Sequence, residues 1–298
     1  MSVPTSVATE PDPGTLRQNM TGRHTVQRMG QIGSFTTEAS SRGTLSKLLS
    51  SLTSNTELVR HLMKVRRVVI TGPAALAYGM HTLGHQKLII PPKIDMICPN
   101  SQYPSFIEEL FELLTDSTKA ASVCVDNYIT ESTNKHVVQD FTFDLGRVKV
   151  VVHCSETEDV IKAVLDQWAS HHLNVLTHER YVMGYPQFTL TLRGFVRARD
   201  LTNEEIEAMA GDIKAGFDFR YRANTYRAGA SMYKCDMYKC PRTVRWFGDE
   251  GCVSATIYRL EEETTQELWS TKWVLLGEGC NDLCEEARNG RRLIFQGY

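Results

Sequence analysis

The sequence predicts an α/β protein of the α+β kind: a mixed sheet flanked by helices, followed by a smaller Cys- and aromatic-rich C-terminal region. Three observations carry that expectation. Short β-branched runs alternate with stretches of helical period from Ser46 to Ala215. Two of these runs, 137–145 and 148–153, are joined through Gly146-Arg147 as a hairpin, so the sheet is not all parallel. From Gly216 onward the periodicity weakens, and cysteines, aromatics and arginines crowd together.

Composition narrows the function classes. Of the 298 residues, 42% are hydrophobic and 23% charged, which excludes wholesale disorder. Lys and Arg number 33 against 35 Asp and Glu, a net charge of −2 that argues against a polyanion-coating protein. No run approaches the roughly 18 consecutive apolar residues of a membrane span. Met1 to Arg23 lacks the apolar run behind basic residues that marks a secretory signal. An intracellular location, cytoplasmic or nuclear, is therefore expected, with no membrane partner. There, eight cysteines read as thiols or zinc ligands in preference to disulfides.

Residues 1–44 read as a flexible tail, rich in Ser, Thr, Gly and Pro, although Val26, Met29 and Ile32 offer one helical turn to a partner. Leu48, Leu49, Leu52, Leu58, Leu62 and Val65 then follow helical spacing, with Ser54 to Thr56 supplying a cap for a second piece. The run 67–71 is a strand ended by Gly72-Pro73, and Pro73 suits the first position of a helix through Leu83. Further strands are expected at 87–90 and 93–98, and an amphipathic helix at 103–114. After strands at 122–130, 137–145 and 148–153 comes a helix at 156–170, then strands at 174–177 and 188–196. Thr202 opens a helix to about Ala215, with Glu205 as its capping-box partner. Strands are also expected at 252–259 and 269–276. A boundary near residue 200 divides a first domain, 45–200, from a C-terminal subdomain, 201–298.

The order helix, short strand, Gly-bearing turn, helix, then a strand with an acidic residue resembles the core of the nucleotidyltransferase superfamily over roughly residues 44–196. Gly72-Pro73-Ala74 matches the turn below the triphosphate, and Ile94-Asp95-Met96 matches the centre of the acidic strand. The resemblance implies two carboxylates one residue apart on that strand and a third on a later strand, together holding two divalent metals against the nucleotide phosphates. Lys93 stands where the first carboxylate is implied, and Val151 where the third is. The expectation is a degenerate member that binds a nucleotide or a macromolecular partner without transferring anything. The string Cys240-Pro241-Arg242-Thr243-Val244-Arg245 and Gly248 to Cys252 is similar in texture to fungal proteins of the superfamily that carry no assigned chemistry.

Candidate residues follow. Gly72, Pro73, Lys93 and Asp95 form the expected nucleotide-binding group. Gly72-Pro73 reads either as a simple strand-to-helix turn or as a phosphate cradle of backbone N–H groups. Asp95 is expected to form an ion pair with Lys93. The rival reading is an active enzyme in which Asp95 shares Mg²⁺ or Mn²⁺ with Asp140 or Asp144. Nucleophilic catalysis is poorly supported: His153 and Cys154 are adjacent in a strand and face opposite ways. His171-His172 reads as a helix-end cap. Cys98, Cys124 and Cys154 read as buried strand residues, whereas Cys235 and Cys240, completed by Cys252 or by the Cys280/Cys284 pair, read either as a structural zinc site or as unmetallated thiols or a disulfide, the second being favoured. Between residues 216 and 249, Arg220, Arg222, Arg227, Arg242 and Arg245 interleave with aromatics, which reads either as a single-stranded nucleic-acid or protein-binding surface or as a loop-rich subdomain whose aromatics make the core and whose arginines cover it, the second favoured by the neutral overall charge.

Overall fold

Apolar alternation in the central strands is answered by cores on both sheet faces. The structure, a computed structural model, describes residues 38–84, 86–117, 124–126, 134–197, 200–221, 243–258 and 270–275. These belong to one compact unit.

Two helices open it, α1 (Glu38–Leu49) and α2 (Thr56–Arg66). The side chain of Asn55 caps α2 by accepting from the Leu58 N–H. The strand β1 (Val69–Thr71) then turns at Gly72 into α3 (Gly72–Thr82). After β2 (Lys93–Cys98) come a 3₁₀ turn (Asn100–Gln102) and α4 (Tyr103–Ser117). The strands β3 (Cys124–Asp126), β4 (Val137–Asp144) and β5 (Lys149–Ser155) form a meander, followed by α5 (Val160–Leu165) and a second 3₁₀ turn (Ser170–His172). Next are β6 (Asn174–Leu176), β7 (Arg180–Met183), the one-turn α6 (Pro186–Thr189) and β8 (Arg193–Phe195). The last described elements are α7 (Asn203–Lys214), β9 (Asp218–Arg220), β10 (Arg245–Trp246), β11 (Val253–Thr256) and β12 (Lys272–Trp273).

Eight described strands make one mixed sheet in the order β11-β7-β6-β1-β2-β5-β4-β3. The pair β2–β5 is parallel and the other neighbours are antiparallel. One face carries Ile94, Met96, Val150 and Val152 and packs under α1–α4. The opposite face carries Val69, Ile97 and Val175 and packs against α5, Phe195, Phe247 and Trp273.

The differences from the sequence expectation have local reasons. The helix α1 begins inside the segment read as tail: Ser41 and Thr44 are buried, and Tyr78 donates its hydroxyl hydrogen to the Ser41 carbonyl. Small polar residues on the packed side had hidden the period. Residues 1–37 lie outside the described residues. No strand forms at 87–90. The helix expected at 156–170 shrinks to α5, capped by Asp159. The strand expected at 188–196 splits, because Pro186 starts a helical turn and Leu192 takes a left-handed backbone before β8. Finally, the boundary near residue 200 is crossed. The strand β9 pairs in parallel with β8, and β11 closes the edge of the main sheet on β7.

Candidate functional site

Three adjacent strands line up a row of charged side chains on the second sheet face. Lys93 and Asp95 are two residues apart on β2 and so face the same way. Asp95 pairs with Val151 of β5 in the parallel register, and His153 lies one same-face step farther along. Asp140 of β4 is the cross-strand partner of His153. The Lys93 Nζ lies 2.8 Å from Asp95 Oδ1, and His153 Nε2 lies 3.1 Å from the same oxygen. On its other edge, His153 Nδ1 is 2.6 Å from Asp140 Oδ1. The row therefore runs ammonium, carboxylate, imidazole, carboxylate.

Electrostatics shifts the pKa values of His153, Asp95 and Lys93. Burial alone would discourage charge on His153, but hydrogen bonds to Asp140 and Asp95 lift its pKa to about 9. It is an imidazolium at neutral pH. Burial likewise works against the Asp95 anion, yet the Lys93 charge and the His153 hydrogen bond bring its pKa down to about 2. Lys93 loses some stability as a cation through desolvation but gains more from Asp95, so its pKa rises. Half of the Lys93 side chain remains exposed to solvent, whereas Asp95 is buried.

Gly72 closes the site from the β1 side. Its φ is +62°, and a Cβ built there would stand 3.0 Å from Asp95 Oδ2. The turn thus requires glycine twice, for its left-handed backbone and for the close carboxylate. Pro73 follows in the first turn of α3, and no side chain caps the helix at Thr71. The Asp95 carboxylate itself sits at this helix start, the favourable end for an anion.

The ion pair expected between Lys93 and Asp95 is present. Asp140 reaches the site through His153, while Asp144 turns away to Lys149, 3.7 Å distant, and accepts from the Gly146 N–H in the hairpin turn. Sequence reasoning missed His153 by considering only its neighbour Cys154. The available signal was its strand parity, shared with Val151.

A second cluster lies at the Ser170–His172 turn, read from sequence as a helix-end cap. His171 Nε2 and His172 Nε2 both point at one oxygen, Asp212 Oδ2 of α7, at 2.9 and 3.3 Å. Both imidazoles are buried. Burial and the neighbouring His172 bring His171 down to about 3, so it is neutral. The two hydrogen bonds overcome the burial of Asp212 and lower its pKa. Trp168, Phe217 and Phe219 pack around the imidazoles.

The late region corrects one expected nucleic-acid contact. Arg245 is 0% exposed, ion-paired to Asp249 at 2.5 Å and bonded to the Gly184 carbonyl, so it reaches no ligand. Its guanidinium satisfies a buried turn. Phe217 and Phe247 are core residues, whereas Tyr221 and Trp246 are exposed. Arg220 is exposed and pairs with Asp218. Arg222, Arg227 and Arg242 lie outside the described residues, as do Cys235, Cys240, Cys280 and Cys284. Cys252 packs against Arg245, and burial pushes its thiol up to about 11. Cys98 and Cys154 are buried, as expected, and are cross-strand partners.

Comparisons with protein-family models, curated proteins and solved structures find no match for this chain. Among the described residues, no helix is long and apolar enough to cross a membrane.

Proposed function

We propose that this chain is a catalytically degenerate, nucleotidyltransferase-like protein that binds a nucleotide phosphate without a divalent metal and transfers nothing. The observation that carries the reading is the His153 ring bridging Asp95 and Asp140 through its two nitrogens. Two-metal phosphoryl chemistry needs anionic oxygens directed at a cation. Here those oxygens are directed at a fixed cation of the protein, and Lys93 supplies a second positive charge. Two positive groups balance two carboxylates, so nothing in the row recruits Mg²⁺ or Mn²⁺. The half-exposed Lys93 ammonium is the contact offered to a phosphate, because its three donors exceed what Asp95 accepts.

Two measurements test this. Nucleoside triphosphates should raise the melting temperature equally in Mg²⁺ and in chelator, and Lys93→Ala should abolish the rise. Labelled nucleotides with Mg²⁺ or Mn²⁺ and RNA, protein or small-molecule acceptors should yield no incorporation. Metal-dependent incorporation that vanishes in Asp95→Asn overturns the reading.

A further inference from the structure

The geometry points to a site for a late first-row divalent transition ion, zinc in particular, formed by His171, His172 and Asp212. One donor atom from each of these residues lies within 4.8 Å of the others. The Asp212 Oδ2 separations from the two Nε2 atoms, 2.9 and 3.3 Å, lie at or a little below the roughly 3.3 Å between neighbouring donors of a tetrahedral ion with bonds near 2.05 Å. Two imidazoles and one carboxylate form a zinc-type donor set with a fourth position left for water or another small ligand. The ring centroids of His171 and His172 are 3.9 Å apart, so consecutive residues aim the same ring edge at one point.

The fold holds both rings in place. Ser170 Oγ accepts from the Phe195 N–H, and Asn174 donates its amide to the His171 carbonyl, which fixes the turn at both ends. Gly194 lets β8 pass close by, since a Cβ there would stand 2.8 Å from the Phe219 ring and 3.4 Å from His171 Nδ1. Asp212 is 23% exposed and is the side from which an ion enters. Neither Nδ1 has a hydrogen-bond partner among the described residues. Missing outer contacts of this kind lower metal affinity by about ten- to a hundredfold. The ion is therefore exchangeable and is stripped by chelators.

Its mechanical consequence is specific. The helix α7 has no fully buried residue and is held by Met209 against the Trp168 cluster and by Asp212, so an ion would replace the Asp212 hydrogen bonds with stronger bonds to the Ser170–His172 turn.

The test uses the full chain, freed of metal and titrated with Co²⁺ and Zn²⁺. One equivalent of Co²⁺ should bind with tetrahedral visible absorption and no near-ultraviolet sulfur charge-transfer band. Zn²⁺ should raise the melting temperature and slow amide exchange in α7. Asp212→Asn and His172→Gln should each weaken binding more than tenfold, and Cys252→Ser should leave it intact. Folded wild-type protein that takes up no stoichiometric Co²⁺ overturns the proposal. So does a sulfur charge-transfer band that survives Asp212→Asn. If either variant fails to fold, the wild-type cobalt spectrum decides alone, because it reads sulfur ligation directly.

Discussion

On the central sheet one imidazole lies between two carboxylates; beneath α7 one carboxylate lies between two imidazoles. The residue types are the same, although His153 is 18% exposed and His171 fully buried, and these two histidines take opposite charge states. His153 gains two anionic partners, which outweigh desolvation and raise its pKa to about 9. His171 shares a single anion with a second imidazole, so desolvation prevails and its pKa falls to about 3. The ratio of carboxylates to imidazoles therefore helps separate a cluster filled by its own proton from one in which His171 is neutral. The sheet cluster is internally neutralised, whereas the α7 cluster can accept a cation.

The largest effect expected on this contrast comes from His153→Ala. Removing the cation leaves Asp95 and Asp140 facing each other across a partly buried gap, and breaking such a pair costs about 3–5 kcal/mol. Denaturant unfolding measures that loss. The same variant should gain a Mn²⁺-dependent rise in melting temperature that the native protein lacks. A variant as stable as the parent would remove His153 as the element holding the site together.

The two clusters should also respond to pH in opposite directions. The folded pKa of His153 is raised above the unfolded value of 6.5, so its stabilisation is complete below about 6.5 and is lost as pH climbs through 9. The charged groups facing it are Asp95 and Asp140, with Lys93 beyond Asp95. In metal-free protein His171 is depressed, so its contribution is present above 6.5 and fades as pH falls toward 3. It faces His172 and Asp212. Stability curves should show an alkaline limb that His153→Gln flattens.

Gly72→Ala should cost about 1–3 kcal/mol, the penalty of a left-handed backbone at a residue with a side chain. The new methyl would also press on Asp95 Oδ2, so the variant should lower the alkaline midpoint of the sheet cluster and leave α7 untouched. Smallest is Thr202→Ala, which removes the capping box of α7 and should cost about 1 kcal/mol. Amide exchange should speed up in α7 without a change around β2.

How much was legible in advance depended on how far apart the interacting residues lie in the chain. The bounds of β2, the start of α4, the hairpin at Gly146, the Thr202–Glu205 box and the Lys93–Asp95 pair were all readable. Each depends on residues within a few positions, where backbone period and turn chemistry leave little choice. The partners of His153 were not readable. Asp95 lies 58 residues away and Asp140 lies 13 away, and only the order β2-β5-β4 with its register brings them together. Asp212 is 41 residues beyond His171 and meets it only because α7 folds back over the Ser170–His172 turn. The burial of Arg245 likewise required Gly184, 61 residues earlier, to offer its carbonyl. Sequence by itself determined the elements and the local pairs, because those follow from backbone geometry over a few residues. Tertiary structure alone decided which charges face one another, because strand order and register set the desolvation and neighbours of every ionisable group.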